Sequence, residues 1–186
     1  VPGVFIDKLI VCTDLEKNHR MTMGEYYNPA YTGKFKYPVS AAAALPLGVK
    51  KTIARRAAQE LKLHVPVNTG LGYPEGISAV ANEEGIAGDL VLTVETGAFG
   101  GVPAARTSFG ATTNALAFVD SPTIFDLYDS GFLYATFVGL AECDAHGSVN
   151  VSRFTDKSGR ERRPGAGGFI NLTQGAKNVI FCGTIT

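Results

Sequence analysis

The sequence of 186 residues has no tryptophan, two methionines and three cysteines. Cys12, Cys143 and Cys182 are too few and too widely spaced for a disulfide framework, and they form no C-x-x-C zinc knuckle. Cys143 and Cys182 lie in apolar runs and are expected to be buried small side chains, which favours a reducing compartment. No apolar run approaches the roughly 20 residues of a membrane helix, and no basic-plus-apolar leader opens the chain. A soluble, cytoplasmic protein is therefore expected. Neither charge is in excess, with 17 Lys+Arg against 17 Asp+Glu, so no overall field gathers nucleic acid or an anionic membrane. There is no HExxH and no clustered Asp/Glu, so no metal is expected. The G-x-S-x-G elbow is missing too; "TSFGA" and "TDKSG" lack its geometry.

What is present is core-forming material. Hydrophobic residues make up 45% and charged residues 18%, enough for one substantial globular domain. The 22 glycines imply many tight turns or close backbone approaches. The chain starts without methionine and ends just as the apolar run "NVIFCGTIT" finishes, so it reads as a piece of a longer polypeptide.

"VFIDKLIVC" (4–12) is expected to be a strand, followed by a long connection, 13–38, without helical or strand period. "PLGVKKTIARRAAQELKLH" (46–64) is a helix with Val49, Ile53, Ala57 and Leu61 on one stripe and its cations mostly off it. An alternation follows: strand 65–70, helix 73–85 with Pro74 near its first turn, strand 90–95, then a long glycine-rich loop. Residues 132–143 and 148–154 read as two strands joined by the "DAHG" turn, 167–177 as a short helix and 178–185 as a buried strand. Val/Ile-rich strands alternating with helices predict an α/β fold, an open and mostly parallel sheet covered by helices.

The strand-to-helix junction "NTGLGYPEGI" (68–77) is one residue off a dinucleotide-binding G-x-G-x-x-G and carries Pro74, so a tight turn or an anion-facing helix N-terminus fits it better. Glu95 closes the strand in "TVETGAFGG". In open α/β sheets ligands bind beyond the carboxyl ends of strands, and Gly97, Gly100 and Gly101 leave backbone free to approach a substrate. A solvated turn glutamate, a ligand, an acid/base and a nucleophile all remain open at this point. "PGAGGF" (164–169) is a second glycine turn that can present backbone N–H groups to an oxyanion. The loop 153–163 carries Arg153, Lys157, Arg160, Arg162 and Arg163, which suit either solvent or the phosphates of a nucleotide-like ligand.

Taken together and in order, "VPGVFID", "YYNPAYTG", "IARRAAQEL", "NTGLGYPEGISAVANEEGI", "LTVETGAFGGVPA", "FDLYDSG", "GLAECDAHGSVNVSRF" and "GAGGFINLTQGAKNVIFCGT" resemble the family I CoA-transferases of the single-chain acetate/3-ketoacid type. The resemblance implies the sheet fold shared by CoA-transferases and sugar-phosphate isomerases. It implies an N-terminal strand and connecting segment over 1–45 and a catalytic-half α/β domain over 46–186, incomplete at its C-terminus. Glu95 takes the place of the family's nucleophile in E-x-G, and Gly165, Gly167 and Gly168 the place of its backbone oxyanion donors. Asn150 matches the site-lining asparagine of G-x-x-N, and Gly70 and Gly72 become pocket-lining candidates beside Gly97, Gly100 and Gly101. The implied activity is transfer of CoA between an acetyl-, propionyl- or 3-ketoacyl-CoA and a carboxylic acid, in short-chain acyl or ketone-body metabolism. Coenzyme A is a substrate there, and no cofactor or metal is required. The implied partners are those substrates, the remaining part of the polypeptide and further copies in a homo-oligomer, with no nucleic acid or membrane. An acyl-CoA hydrolase using the same glutamate, or an inactive piece that needs the rest of the chain, are the alternatives.

Overall fold

The computed structural model describes residues 2–38 and 44–185, so 39–43 of the expected N-terminal segment lie outside the described residues. Among the described residues before 49 there is one short α-helix, α1 (Leu15–Asn18), capped where the Asp14 side chain accepts from the Lys17 N–H at 3.0 Å, and two single 3-10 turns at Gly3–Phe5 and Pro29–Thr32. The strand expected at 4–12 does not form. Leu9 and Ile10 stand 86% and 84% exposed, and the described residues supply no neighbour for them to pair with or pack on. An apolar run asks for burial but cannot become a strand without a ladder partner.

The domain proper begins with α2 (Val49–Ala58), followed by β1 (Pro66–Thr69), α3 (Gly76–Glu83) and β2 (Val91–Val94). Two helices pack on each other along α2's Ala54 and Ala57, while Val49 points to solvent, so the buried stripe is narrower than its spacing predicts. The cations of α2 have a structural use. Lys50 pairs with Glu75, Lys51 with Glu83 and Arg55 with Glu84 beside or on α3, and Arg56 with Glu60 one turn on.

The expected loop after Glu95 holds four two-residue strands, β3 (Ala98–Phe99), β4 (Val102–Pro103), β5 (Thr112–Thr113) and β6 (Ala117–Phe118), and then a helix, α4 (Ser121–Asp129). The parallel strand β7 (Ala135–Gly139) follows, shorter than the 132–143 run that predicts it. Two small antiparallel hairpins come next, β8 (Glu142–Cys143) with β9 (Val149–Asn150), and β10 (Phe154–Thr155) with β11 (Glu161–Arg162). Cys143 sits on the first hairpin and is exposed, contrary to its apolar context, because β8 leaves the main sheet; Cys182 is buried as expected. The chain closes with α5 (Phe169–Gly175) and β12 (Asn178–Cys182).

The main sheet runs β12-β7-β1-β2-β3-β6. Its first four strands are parallel, and β3 and β6 extend it antiparallel. Side chains alternate across it. Val67, Leu92, Ala135 and Phe137 face α2 and α3 in one apolar cluster, while Val138 joins Ile124, Tyr128 and Leu172 of α4 and α5 on the other face. With both faces covered, the open places are the ends of the strands.

Candidate active site

Successive residues on one face of a parallel sheet are two apart, and the register therefore fixes what surrounds Glu95. Thr93 lies opposite Asn68, and Asn68 opposite Thr136. One step further toward the carboxyl ends come Glu95, Gly70 and Val138. These three form the floor of a cleft of about 510 Å³. Gly165, Gly167 and Gly168 line its wall with Phe169, Leu172 and Phe109. The two glycine turns and the carboxylate, far apart in sequence, thus meet in space.

Glu95 is held by its backbone. Its carbonyl accepts from Ser121 Oγ at 2.9 Å, the following Thr96 Oγ1 donates to Gly110 O at 2.5 Å, and the Gly97 N–H turns back to Val94 O at 2.8 Å. The side chain is half-buried, and Oε2 is buried outright without a hydrogen-bond partner among the described residues. Burial holds this carboxyl above its ordinary pKa, against the opposing pull of its own backbone N–H and the Asn68 amide. Among the described residues it is the only titratable group lining the cleft. A carboxylate in that setting, poorly solvated and next to open space, is a better nucleophile or base than a turn glutamate in water.

The second glycine turn contributes unevenly. The Gly165 N–H is already bonded to Ser152 O at 3.2 Å. Gly167 and Gly168, by contrast, have N–H groups with no partner among the described residues. Gly167 is left-handed at φ +55° and Gly168 right-handed at φ −76°, the alternation that turns successive N–H groups toward one point.

The other candidates lie elsewhere. Gly72 is outside the cleft lining. A Cβ on Gly97 would meet Val119 O at 1.8 Å, one on Gly100 Leu116 Cγ at 2.6 Å, and one on Gly101 Thr113 O at 2.3 Å. Those three glycines therefore let β2, β3 and the following chain approach one another. Asn150 donates to Glu142 and to Arg153 O, both at 2.7 Å, beside a separate surface hollow between β8 and β9. In the basic loop Arg153 and Arg163 pair with Glu161, and Arg162 approaches Asp156 at 3.9 Å. A groove of about 530 Å³ between α2 and β12 is lined in part by Cys182, whose pKa burial pushes up to about 11, keeping it a thiol. Among the described residues no group of three His, Cys, Asp or Glu could hold a metal, and no helix is long and apolar enough to cross a membrane.

What sequence reasoning missed is the layer behind the carboxyl, which includes Asn68, Thr93, Tyr128 and Thr136. Its signal was the presence of polar residues inside otherwise apolar strands.

No family model matches the chain. It is 41% identical over 184 residues, 99% of its length, to caffeate CoA-transferase of Acetobacterium woodii, and 38% identical over 186 residues to acetate CoA-transferase YdiF of Escherichia coli. The chain spans 35% and 34% of the lengths of these two relatives. The crystal structure of the Escherichia coli acyl-CoA transferase YdiF superposes with a TM-score of 0.71 at 39% identity, covering 86% of this chain and 28% of that one. A second crystal structure of that enzyme is a thioester complex with CoA, with a TM-score of 0.66 over 78% of this chain and 27% of that one. Glutaconate coenzyme A-transferase of Acidaminococcus fermentans shares the fold at 21% identity and a TM-score of 0.57, over 73% of this chain and 56% of that one. With its collinear motifs, its sheet and relatives that match it from end to end, the chain belongs to the family I CoA-transferases.

Proposed function

We infer that Glu95 is the nucleophile of a CoA transfer between a short-chain acyl-CoA and a carboxylic acid. The observation that carries this reading is the meeting, in one cleft, of a poorly solvated carboxylate with the Gly167 and Gly168 N–H groups, which have no partner among the described residues. A carboxylate oxygen attacks the thioester carbonyl carbon, and the C–S bond breaks to give an acyl–glutamyl anhydride and CoA thiolate. The thiolate then attacks the Glu95 carbonyl carbon. The anhydride C–O bond breaks, the acyl group leaves as its carboxylate, and a glutamyl-CoA thioester remains. An acceptor carboxylate reverses both steps, which gives ping-pong kinetics.

Each attack develops negative charge on a former carbonyl oxygen. The Gly167 and Gly168 N–H groups are the donors available to it, and losing one such donor typically costs about 3–4 kcal/mol. A carboxylate is a weak nucleophile, so binding of the remote part of CoA must help bring it to reaction. The cleft lining is otherwise apolar, with Leu71, Val138, Leu140 and Phe109. Such walls suit an uncharged acyl chain and shield the anhydride from water, which is what separates a transferase from a hydrolase.

The test is to incubate the complete transferase with acetyl-CoA or propionyl-CoA, reduce with borohydride, and map the modified peptide by mass. Reduction of a glutamyl thioester converts Glu95 to the corresponding alcohol. A modification on another residue, or none, refutes the assignment. Transfer of label into acetate, set against release of free CoA thiol, distinguishes transfer from hydrolysis.

A further inference from the structure

Directly behind Glu95, four polar side chains are sealed from water. Asn68, Thr93, Tyr128 and Thr136 are each 0% exposed. Their position between the sheet and α4 is one that apolar residues fill elsewhere in the domain, and buried polar groups are costly unless they are bonded. Their bonds form a connected set. Tyr128 Oη donates to Thr93 Oγ1 at 3.0 Å, and Thr93 Oγ1 donates to Val67 O at 3.1 Å. Asn68 Nδ2 donates to Thr93 O at 3.1 Å, and Thr136 Oγ1 donates to Asn68 Oδ1 at 3.5 Å.

The count leaves one donor over. An asparagine amide carries two N–H groups, and only one of Asn68's reaches Thr93 O. Thr93 O can only accept, which fixes the amide end facing it as nitrogen, so the spare N–H cannot be exchanged for an oxygen by a flip. One acceptor is also left over, Glu95 Oε2, buried and unpaired one step further along the same face of the sheet. Glu95 Oε1 is not sealed in this way.

We propose that Asn68 is the positioning residue of the Glu95 carboxylate: its spare N–H holds Oε2 at the back of the cleft and leaves Oε1 as the attacking oxygen, while Thr93, Tyr128 and Thr136 lock the amide in that orientation. The inference rests on Glu95 being the nucleophile. It explains why the layer is polar at all, since an apolar one would leave the inner oxygen with no donor and the carboxylate free to rotate. A donor on Oε2 also favours the ionised form that the reaction needs.

The test uses the complete transferase. Asn68→Asp keeps the size and shape of the side chain but replaces the donor with an acceptor, and places a second carboxyl beside Glu95. The acidic limb of kcat/KM is expected to move up by about one pH unit or more, with KM for the acyl-CoA within about twofold and kcat down at least about tenfold. Thr136→Val, nearly isosteric, releases the amide without touching Glu95 and is expected to move the limb in the same direction by a smaller amount; it decides the matter if Asn68→Asp does not fold. A limb that stays at the wild-type pH in a folded variant overturns the proposal, even if kcat falls. Borohydride labelling of the wild type keeps the two readings separate. Label on Glu95 with an unmoved limb removes only the role of Asn68, whereas label elsewhere removes the nucleophile itself.

Discussion

Gly168 offers a way to move the proposed nucleophile without changing a single polar group. A methyl added at its Cα would come 3.3 Å from Glu95 Cγ and 3.3 Å from both Cε1 and Cζ of Phe125. Its φ of −76° suits alanine, so Gly168→Ala introduces contact and no backbone strain. Carbon atoms rest about 3.5–4.0 Å apart, so one neighbour must yield by a few tenths of an ångström. The Phe125 ring is braced edge-on against Tyr128, centroid to centroid 5.8 Å, within the α4–α5 core. The glutamate stem is the softer partner, and it is the one that shifts. If a displacement of about 1 Å costs roughly 100-fold, a few tenths cost about 3- to 10-fold, or about 0.7–1.4 kcal/mol in the barrier. The N–H of residue 168 is retained, so the loss reports placement of the carboxylate and not a missing donor. The assay is steady-state transfer from propionyl-CoA to acetate by the complete enzyme, with a thermal melt alongside. Gly165→Ala is the control. Its φ of +81° strains alanine by about 1 kcal/mol, but its Cβ would meet nothing within 4 Å. A Gly168→Ala rate within about 1.5-fold of wild type, or a larger loss of rate in Gly165→Ala, refutes the reasoning.

Burial raises the Glu95 carboxyl pKa, so its stability contribution is present at low pH, where it is neutral, and is lost as pH rises through the folded-state value. Glu95→Gln is therefore expected to melt higher than wild type at pH 7.5 and to lose that advantage near pH 4; a wild type more stable at pH 7.5 means that partners, not burial, dominate. Exposed Cys12 and Cys143 are expected to react with a thiol reagent in the native state, and buried Cys182, its pKa pushed up to about 11, only on unfolding, so a count of three fast thiols contradicts the packing under β12. Gly97→Ala drives a methyl to 1.8 Å from Val119 O at φ +108° and is expected to cost about 3 kcal/mol or more in urea unfolding. A soluble variant with the wild-type midpoint rules out that close approach.

Long, one-character stretches were legible in the sequence. The runs at 65–70, 90–95 and 178–185 became β1, β2 and β12; the first two are interior parallel strands, which need no strict alternation, whereas β12, expected to be buried, is the edge strand, with Asn178 and Phe181 exposed and Cys182 alone of its residues buried. Glu95 stood out as the charge that ends such a run, and 164–169 as a turn rich in φ-tolerant glycine. The two-residue strands β3–β6 were not legible, since a pair of residues has no period. Helix α4 had a usable signal in Pro122 at its start and the Ile124–Tyr128 spacing, but it sat inside what read as a loop. Residues 4–12 misled for the opposite reason: composition reports a need for cover, not the identity of the cover. The glycines at 97, 100 and 101 read as clearance for a substrate, while in the fold each also gives room to Val119, Leu116 or Thr113. Asn68 showed only as a polar residue inside an apolar strand, because its importance lies in a register between strands separated by 25 residues.

The row of Asn68, Thr93 and Thr136 and the row of Gly70, Glu95 and Val138 are neighbouring rungs of one ladder, and the ladder has a fixed step. Lengthening or shortening β2 by one residue sends the carboxylate through the sheet to the α2–α3 side. Sliding it back by two puts it among groups with no room for a thioester. There is no intermediate setting. The loops around this cleft can drift in length, but the strands that carry the carboxylate and its backing cannot gain or lose a single residue. Attempts to retune such an enzyme by loop exchange should therefore cut after residue 95 and never within 66–95.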